Sequence, residues 1–130
     1  MASSEAQPPV RVVAVDDLPA FRATAAALIA STPGFELVGT SADGESALRL
    51  VRETDPDLVL VDVRMPGIDG VAVATRLLAG DPTRVVVLAS TLDQASLSRV
   101  ARGCGAAAVI CKHWLTPRLL HGLWVAHRRR

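Results

Sequence analysis

The sequence predicts an α/β fold: a doubly wound, five-stranded parallel sheet held between two layers of helices, three layers in all. Three observations lead there. From about Val10 onward, five short apolar runs alternate strictly with segments of helical period. Four of these runs are almost continuously apolar rather than alternating, as a strand must be when helices cover both of its faces. The runs also end abruptly in acidic, hydroxyl or basic residues, and ligands of open parallel sheets bind beyond the carboxyl ends of the strands.

Residues 1–9 are small, polar and proline-bearing, with nothing to bury, and read as a disordered tail before a domain spanning 10–127. The first strand is expected over Val10 to Val15. Phe21, Ala25, Leu28 and Ile29 then fall at i, i+4, i+7 and i+8, one buried stripe of a helix. A second strand, Glu36 to Thr40, precedes a helix that Asp43 can cap, and a third, Leu58 to Val61, precedes a helix that Asp69 can cap. After the fourth strand, Val85 to Ala89, the residues Leu97, Val100, Ala101 and Cys104 return to helical spacing. The fifth strand is expected over Ala107 to Cys111. Thr116 before Pro117 sets a capping hydroxyl ahead of a proline at the first helical position. The last helix buries Leu119, Leu120, Leu123 and Trp124. Gly122 within it costs about 1 kcal/mol against alanine, so fraying is expected there. Residues 128–130 form a basic tail.

The chain has 130 residues, half of them apolar, which suffices for one domain with a real core and leaves no room for a second. With 14 Lys and Arg against 13 Asp and Glu, no general field favours nucleic acid or an anionic membrane. The terminal Arg128-Arg129-Arg130 run is read as a solvated complement to a helix dipole. No stretch approaches the ~20 apolar residues of a membrane span, and the N-terminus lacks a signal-peptide pattern, so a cytoplasmic protein is expected. Cys104 and Cys111 stand alone in apolar company and are read as buried reduced thiols.

Chemistry gathers at the strand ends. The first strand runs into Asp16-Asp17, the third into Asp62, the fourth into Ala89-Ser90-Thr91 and the fifth into Lys112. If the first and third strands are neighbours, as in the flavodoxin-like order 2-1-3-4-5, three carboxylates converge. Such acids repel one another unless a cation sits between them. All-oxygen donors with no His or Cys select a hard divalent ion, and few protein ligands beside phosphate oxygens suit magnesium (Mg2+) better than calcium. The plainer alternative is that Asp16 and Asp17 cap the first helix.

The stretches "VVAVDD", "LVLVDVRMPGIDG" and "GCGAAAVICK", in that order, are similar to receiver domains of two-component response regulators, the CheY-like family, over nearly the whole chain beyond residue 9. The resemblance implies that Asp62 accepts a phosphoryl group. It implies further that Asp16 and Asp17 hold magnesium directly or through water, that Arg64 adds its backbone carbonyl, and that Lys112 pairs with the phosphoryl group. Independently of family, a carboxylate is a poor nucleophile toward an anionic donor, and a divalent cation and an ammonium remove that obstacle. Pro66 and Gly67 turn the chain after Asp62.

Two positions depart from the family pattern. Where the family usually carries Ser or Thr directly after the fourth strand, strand register puts Ala89, with Ser90 one residue later; Ser90 is retained as a candidate hydroxyl contact. Where the fifth strand commonly carries Tyr or Phe, this chain has Val109. His113 follows Lys112 in place of a proline, and His113 and Trp114 are read as loop packing.

The leading reading is a stand-alone receiver, not a turnover enzyme. It takes a phosphoryl group from a sensor histidine kinase or phosphotransfer protein and signals by contact with an unidentified downstream protein or a second copy of itself. On this reading no output domain is expected after the last helix, the receiver part of a longer protein being the other case, and neither membrane nor nucleic acid is expected as a partner. The alternative is a phosphorylation-independent interaction module, a pseudo-receiver, favoured by Ala89 and Val109. An aspartate-nucleophile phosphohydrolase would need a second acid where Arg64 stands.

Overall fold

A computed structural model describes residues 7–91, 99 and 103–128. Their elements are β1 (Val10–Val15), α1 (Pro19–Ala30), β2 (Phe35–Ser41), α2 (Gly44–Thr54), β3 (Leu58–Asp62), α3 (Gly70–Gly80), β4 (Val85–Ser90), β5 (Ala108–Cys111), a 3-10 turn (Lys112–Trp114) and α4 (Pro117–His127). The five strands are parallel in the order β2-β1-β3-β4-β5, as expected. The helix expected from Leu97, Val100 and Ala101 lies outside the described residues; Cys104 of that stripe is described and buried.

Local chemistry starts the helices where the sequence placed the caps. Asp43 accepts from the Ser46 N–H at 2.8 Å, Asp69 from that of Ala72 at 2.9 Å, and Thr116 from that of Leu119 at 3.1 Å. Pro19 and Pro117 stand at the starts of α1 and α4, where a missing N–H costs nothing. Gly122 does not end α4, which continues to His127 because Leu120 is wholly buried and Leu123 and Trp124 pack on the same core. Leu119 is half-buried rather than buried.

Strand alternation sends side chains to two separate cores. Val13, Val15, Val59, Val61, Val86 and Leu88 meet α2 and α3 through Ala47, Val51, Val73 and Leu77. Val12, Ala14, Leu58, Leu60, Val85 and Val87 meet α1 and α4 through Ala25, Ile29 and Leu120. Each fully buried Leu or Ile contributes about 1.5–3 kcal/mol of transfer free energy. At the amino ends of the strands the acids have partners: Arg84 pairs with Asp55 at 2.6 Å, and the Arg11 backbone N–H donates to Asp57 at 2.9 Å. The carboxyl ends differ.

Two glycines shape the connection after β3. Gly67 has φ +78°, the left-handed region, and follows Pro66 in the turn. Gly70 begins α3 against the end of β3: its N–H donates to the Val63 carbonyl at 2.9 Å, and a Cβ there would stand 2.1 Å from the Asp62 carbonyl oxygen. No side chain fits without moving backbone. Gly70→Ala is therefore expected to lower stability by about 3 kcal/mol or more in denaturant unfolding. Gly122→Ala, where a Cβ would meet nothing within 4 Å, should raise it by about 0.5–1 kcal/mol; a tolerated Gly70→Ala would contradict the packing described.

Candidate functional site

The register of the central strands assembles the site. Val15 is paired with Val61, so Asp16, one residue beyond β1, lies next to Asp62, the last residue of β3. Both follow the α1/α4 face, since Ala14 and Leu60 belong to that core. Asp16 and Asp62 are buried and Asp17 is half-buried. One carboxylate oxygen from each of the three lies within 4.8 Å of the others.

Lys112 reaches this cluster from the turn after β5. Its Nζ is 2.5 Å from Asp16 Oδ2 and 3.5 Å from Asp62 Oδ1, and it lies 4.1 Å from the centroid of the Phe21 ring. One ammonium thus bridges two of the three carboxylates. Asp16 Oδ2 is buried and, among the described residues, accepts no hydrogen bond of good geometry; the ion pair with Lys112 is what holds it. Burial raises the Asp62 carboxyl from its ordinary 3.8 to about 6, against the pull of Lys112 and with the repulsion of Asp16 and Asp17.

The acids are not used to cap α1. Its N-cap is Leu18, with no side-chain cap, while Asp16 Oδ1 accepts from the Leu18 N–H at 2.9 Å in a local turn. Arg22 donates to the Asp16 carbonyl at 2.7 Å and fixes that loop from the helix side. The donor set fits a hard cation: three carboxylates, no nitrogen or sulfur, and one buried oxygen without a hydrogen bond. Two oxygens on one magnesium ion stand at most about 4.2 Å apart, so water can complete one link.

The remaining candidates fall as follows. Arg64 is exposed two residues past Asp62, leaving its backbone as the relevant part. Ala89 is the β4 partner of Asp62, and its carbonyl accepts from the Val63 N–H at 3.0 Å. Ala89 belongs to the core on the Asp62 face. Ser90 is buried and, by alternation, on the other face with Val86 and Leu88, so the methyl of Ala89 and not the Ser90 hydroxyl stands beside Asp62. Val109 packs partly buried on the α2/α3 core. Trp114 corrects the expectation of loop packing: its ring is 65% exposed, and His113 is exposed too. Cys104 is buried as expected, but Cys111 is only half-buried, and both are free thiols.

Sequence reasoning missed three contributors. Phe21 was assigned to the core stripe of α1, yet its ring also faces Lys112; its place in the first turn of the helix after Asp17 was the available signal. Arg22 and Gly70 act through a carbonyl and a close approach, which a sequence pattern does not display.

Comparison with known proteins agrees with this arrangement. The sequence model of the response regulator receiver domain matches residues 12–123. The chain is 39% identical over 113 residues to protein-glutamate methylesterase/protein-glutamine glutaminase 5 of Anaeromyxobacter dehalogenans (strain 2CP-C), covering 85% of this chain and 30% of that protein. It thus spans about a third of the length of the curated relatives it matches. The response regulator domain of Thermotoga maritima CheB superposes with a TM-score of 0.80 at 26% identity, over 92% of this chain and 96% of that one. The CheX-CheY-BeF3-Mg+2 complex of Borrelia burgdorferi gives a TM-score of 0.77 at 26% identity, over 93% and 91%. The fold and its acidic strand ends define a signalling domain of the two-component type. The chain belongs to the response regulator receiver domain family.

The raised Asp62 value has a consequence for stability without added metal. Because the folded carboxyl, at about 6, holds its proton more tightly than an ordinary carboxyl at 3.8, stability falls as pH rises through that window and stays low above it. In chelator, Asp62→Asn is expected to unfold a few degrees above the wild type at neutral pH, on the order of 1 kcal/mol. The gain should vanish near pH 4. An Asn variant less stable than wild type at pH 7.5 would show that Lys112 outweighs desolvation and repulsion.

Proposed function

We propose that the chain is a phosphoacceptor: Asp62 takes a phosphoryl group from a histidine kinase or phosphotransfer protein, and the modified domain signals by protein contact. The observation that carries this reading is the ion-paired carboxylate cluster, with the Lys112 ammonium bridging Asp16 and Asp62. Asp16, Asp17, Asp62 and the backbone carbonyl of Arg64 would hold Mg2+. When bound, the cation supplies Lewis-acid neutralisation of phosphoryl oxygens.

The chain's own residues do the rest. Asp62 ionises around pH 6, so near neutrality its carboxylate is available as nucleophile. A carboxylate oxygen forms the new O–P bond while the P–N bond to the donor imidazole breaks, its electron pair staying on nitrogen. Lys112, 3.5 Å from Asp62 Oδ1, takes up charge on the transferred oxygens. The loop held by Arg22 and the backbone clamped by Gly70 keep Asp16 and Asp62 from drifting apart.

No turnover of an external substrate is assigned to this segment. The methylesterase and glutaminase activities belong to the name of a relative about three times as long. A second reading, interaction independent of phosphorylation, is favoured by Ala89, which sets a methyl and no donor beside Asp62. Acetyl phosphate with Mg2+, followed by intact mass and peptide mapping, separates the two. The acceptor reading expects one phosphoryl group on Asp62 and none on Asp62→Asn; Asp17→Asn should need at least ten-fold more Mg2+ for the same labelling. A wild type that gains no mass would leave the second reading.

A further inference from the structure

We infer that Phe21 is a positioning residue for the phosphoryl chemistry, its ring face being the seat that keeps the Lys112 ammonium within reach of Asp62. The inference rests on the acceptor reading above and adds a residue to it. Lys112 is nearly withdrawn from water, its side chain 6% exposed, and among the described residues its ammonium meets Asp16 Oδ2 at 2.5 Å, Asp62 Oδ1 at 3.5 Å and the Phe21 ring at 4.1 Å to the centroid. Two of these are charged, and their pull depends on what else shares the cluster. The ring is neutral, and its quadrupole attracts a cation whatever the state of the acids.

The geometry makes this difference useful. The ammonium lies closest to Asp16, an acid assigned to the cation and not to the phosphoryl group. Once the charge of Asp16 and Asp17 is neutralised, that grip weakens. A Lys112 with no other support would then swing toward water or stay on Asp16 and compete with the incoming cation. The ring blocks both outcomes. It fills the side of Nζ that solvent would otherwise occupy, and it offers the ammonium an attraction that survives neutralisation of the acids. Phe21 can do this because it is fixed twice. Its N–H donates to the Leu18 carbonyl at 3.1 Å in the first turn of α1, and its side chain packs on the α1/α4 core.

The test uses the full chain with Mg2+ as probe. Side-chain NMR of Lys112 and calorimetric Mg2+ titration are compared in wild type, Phe21→Leu, Lys112→Met and the double variant. In wild type the Lys112 Hε protons should be shifted upfield by the ring, with and without Mg2+. Phe21→Leu should lose that shift and change Mg2+ affinity about 3- to 10-fold, weaker where the ammonium stays on Asp16 and tighter where it leaves for water. In the Lys112→Met background the same substitution should leave Mg2+ affinity unchanged. Phe21→Met, apolar and ringless, should behave as Phe21→Leu and serves if that variant does not fold. Unaltered Hε shifts in the ringless variants would overturn the inference. So would an equal change in Mg2+ affinity with Lys112 absent, which would mean that the ring acts only through packing. A wild type that binds no Mg2+ would instead defeat the acceptor reading, and the metal-free Hε shift would still decide whether the seat exists.

Discussion

Everything at this site follows from a shortage of positive charge. Parallel pairing of β1 with β3 brings Asp16 and Asp62 side by side out of water, with Asp17 near, and among the described residues one ammonium, Lys112, pairs with Asp16 and Asp62. Like charges at such separations in a medium of reduced dielectric cost several kcal/mol unless matched. The fold does not remove this tension. At the opposite end of the same sheet the Arg84 guanidinium pairs with Asp55.

The surrounding structure holds the unbalanced acids in place. Two apolar cores grip the strands from both faces, so the ends of β1 and β3 have little freedom to separate. The Arg22 guanidinium ties the Asp16 carbonyl to α1, and Gly70 lets α3 start directly against the Asp62 carbonyl. Such preorganisation suits phosphoryl transfer, where the protein contributes mainly position and field. The β4 side is the exception. The methyl of Ala89, the β4 partner of Asp62, stands on the Asp62 face, and Ser90, by strand alternation, lies on the other.

Much of this was legible in the sequence. Near-continuous apolar runs announced strands covered on both faces, and acids or a lysine at their ends marked the site. The strand order and the three caps at Asp43, Asp69 and Thr116 agree with expectation. What stayed hidden is three-dimensional in origin. Period and hydropathy assign Phe21 to a core but do not say that a ring in that core faces an ammonium. The contact of Gly70 with Asp62 exists only once β3 and α3 have packed. Trp114 was misread because a bulky apolar residue next to a site suggests burial, whereas the short turn after Lys112 leaves it outside.

The central claim is that one ammonium, held between Asp16, Asp62 and the Phe21 ring, serves Asp62 once a cation and a phosphoryl group are present. The most direct measurement is a crystal structure of the chain with Mg2+ and beryllofluoride. The account predicts the beryllium centre on a carboxylate oxygen of Asp62, a cation among Asp16, Asp17 and Asp62, and Lys112 Nζ within hydrogen-bonding distance of a fluoride while still over the Phe21 ring. Beryllofluoride absent from Asp62, or Lys112 still closed on Asp16 with both ligands bound, would contradict it.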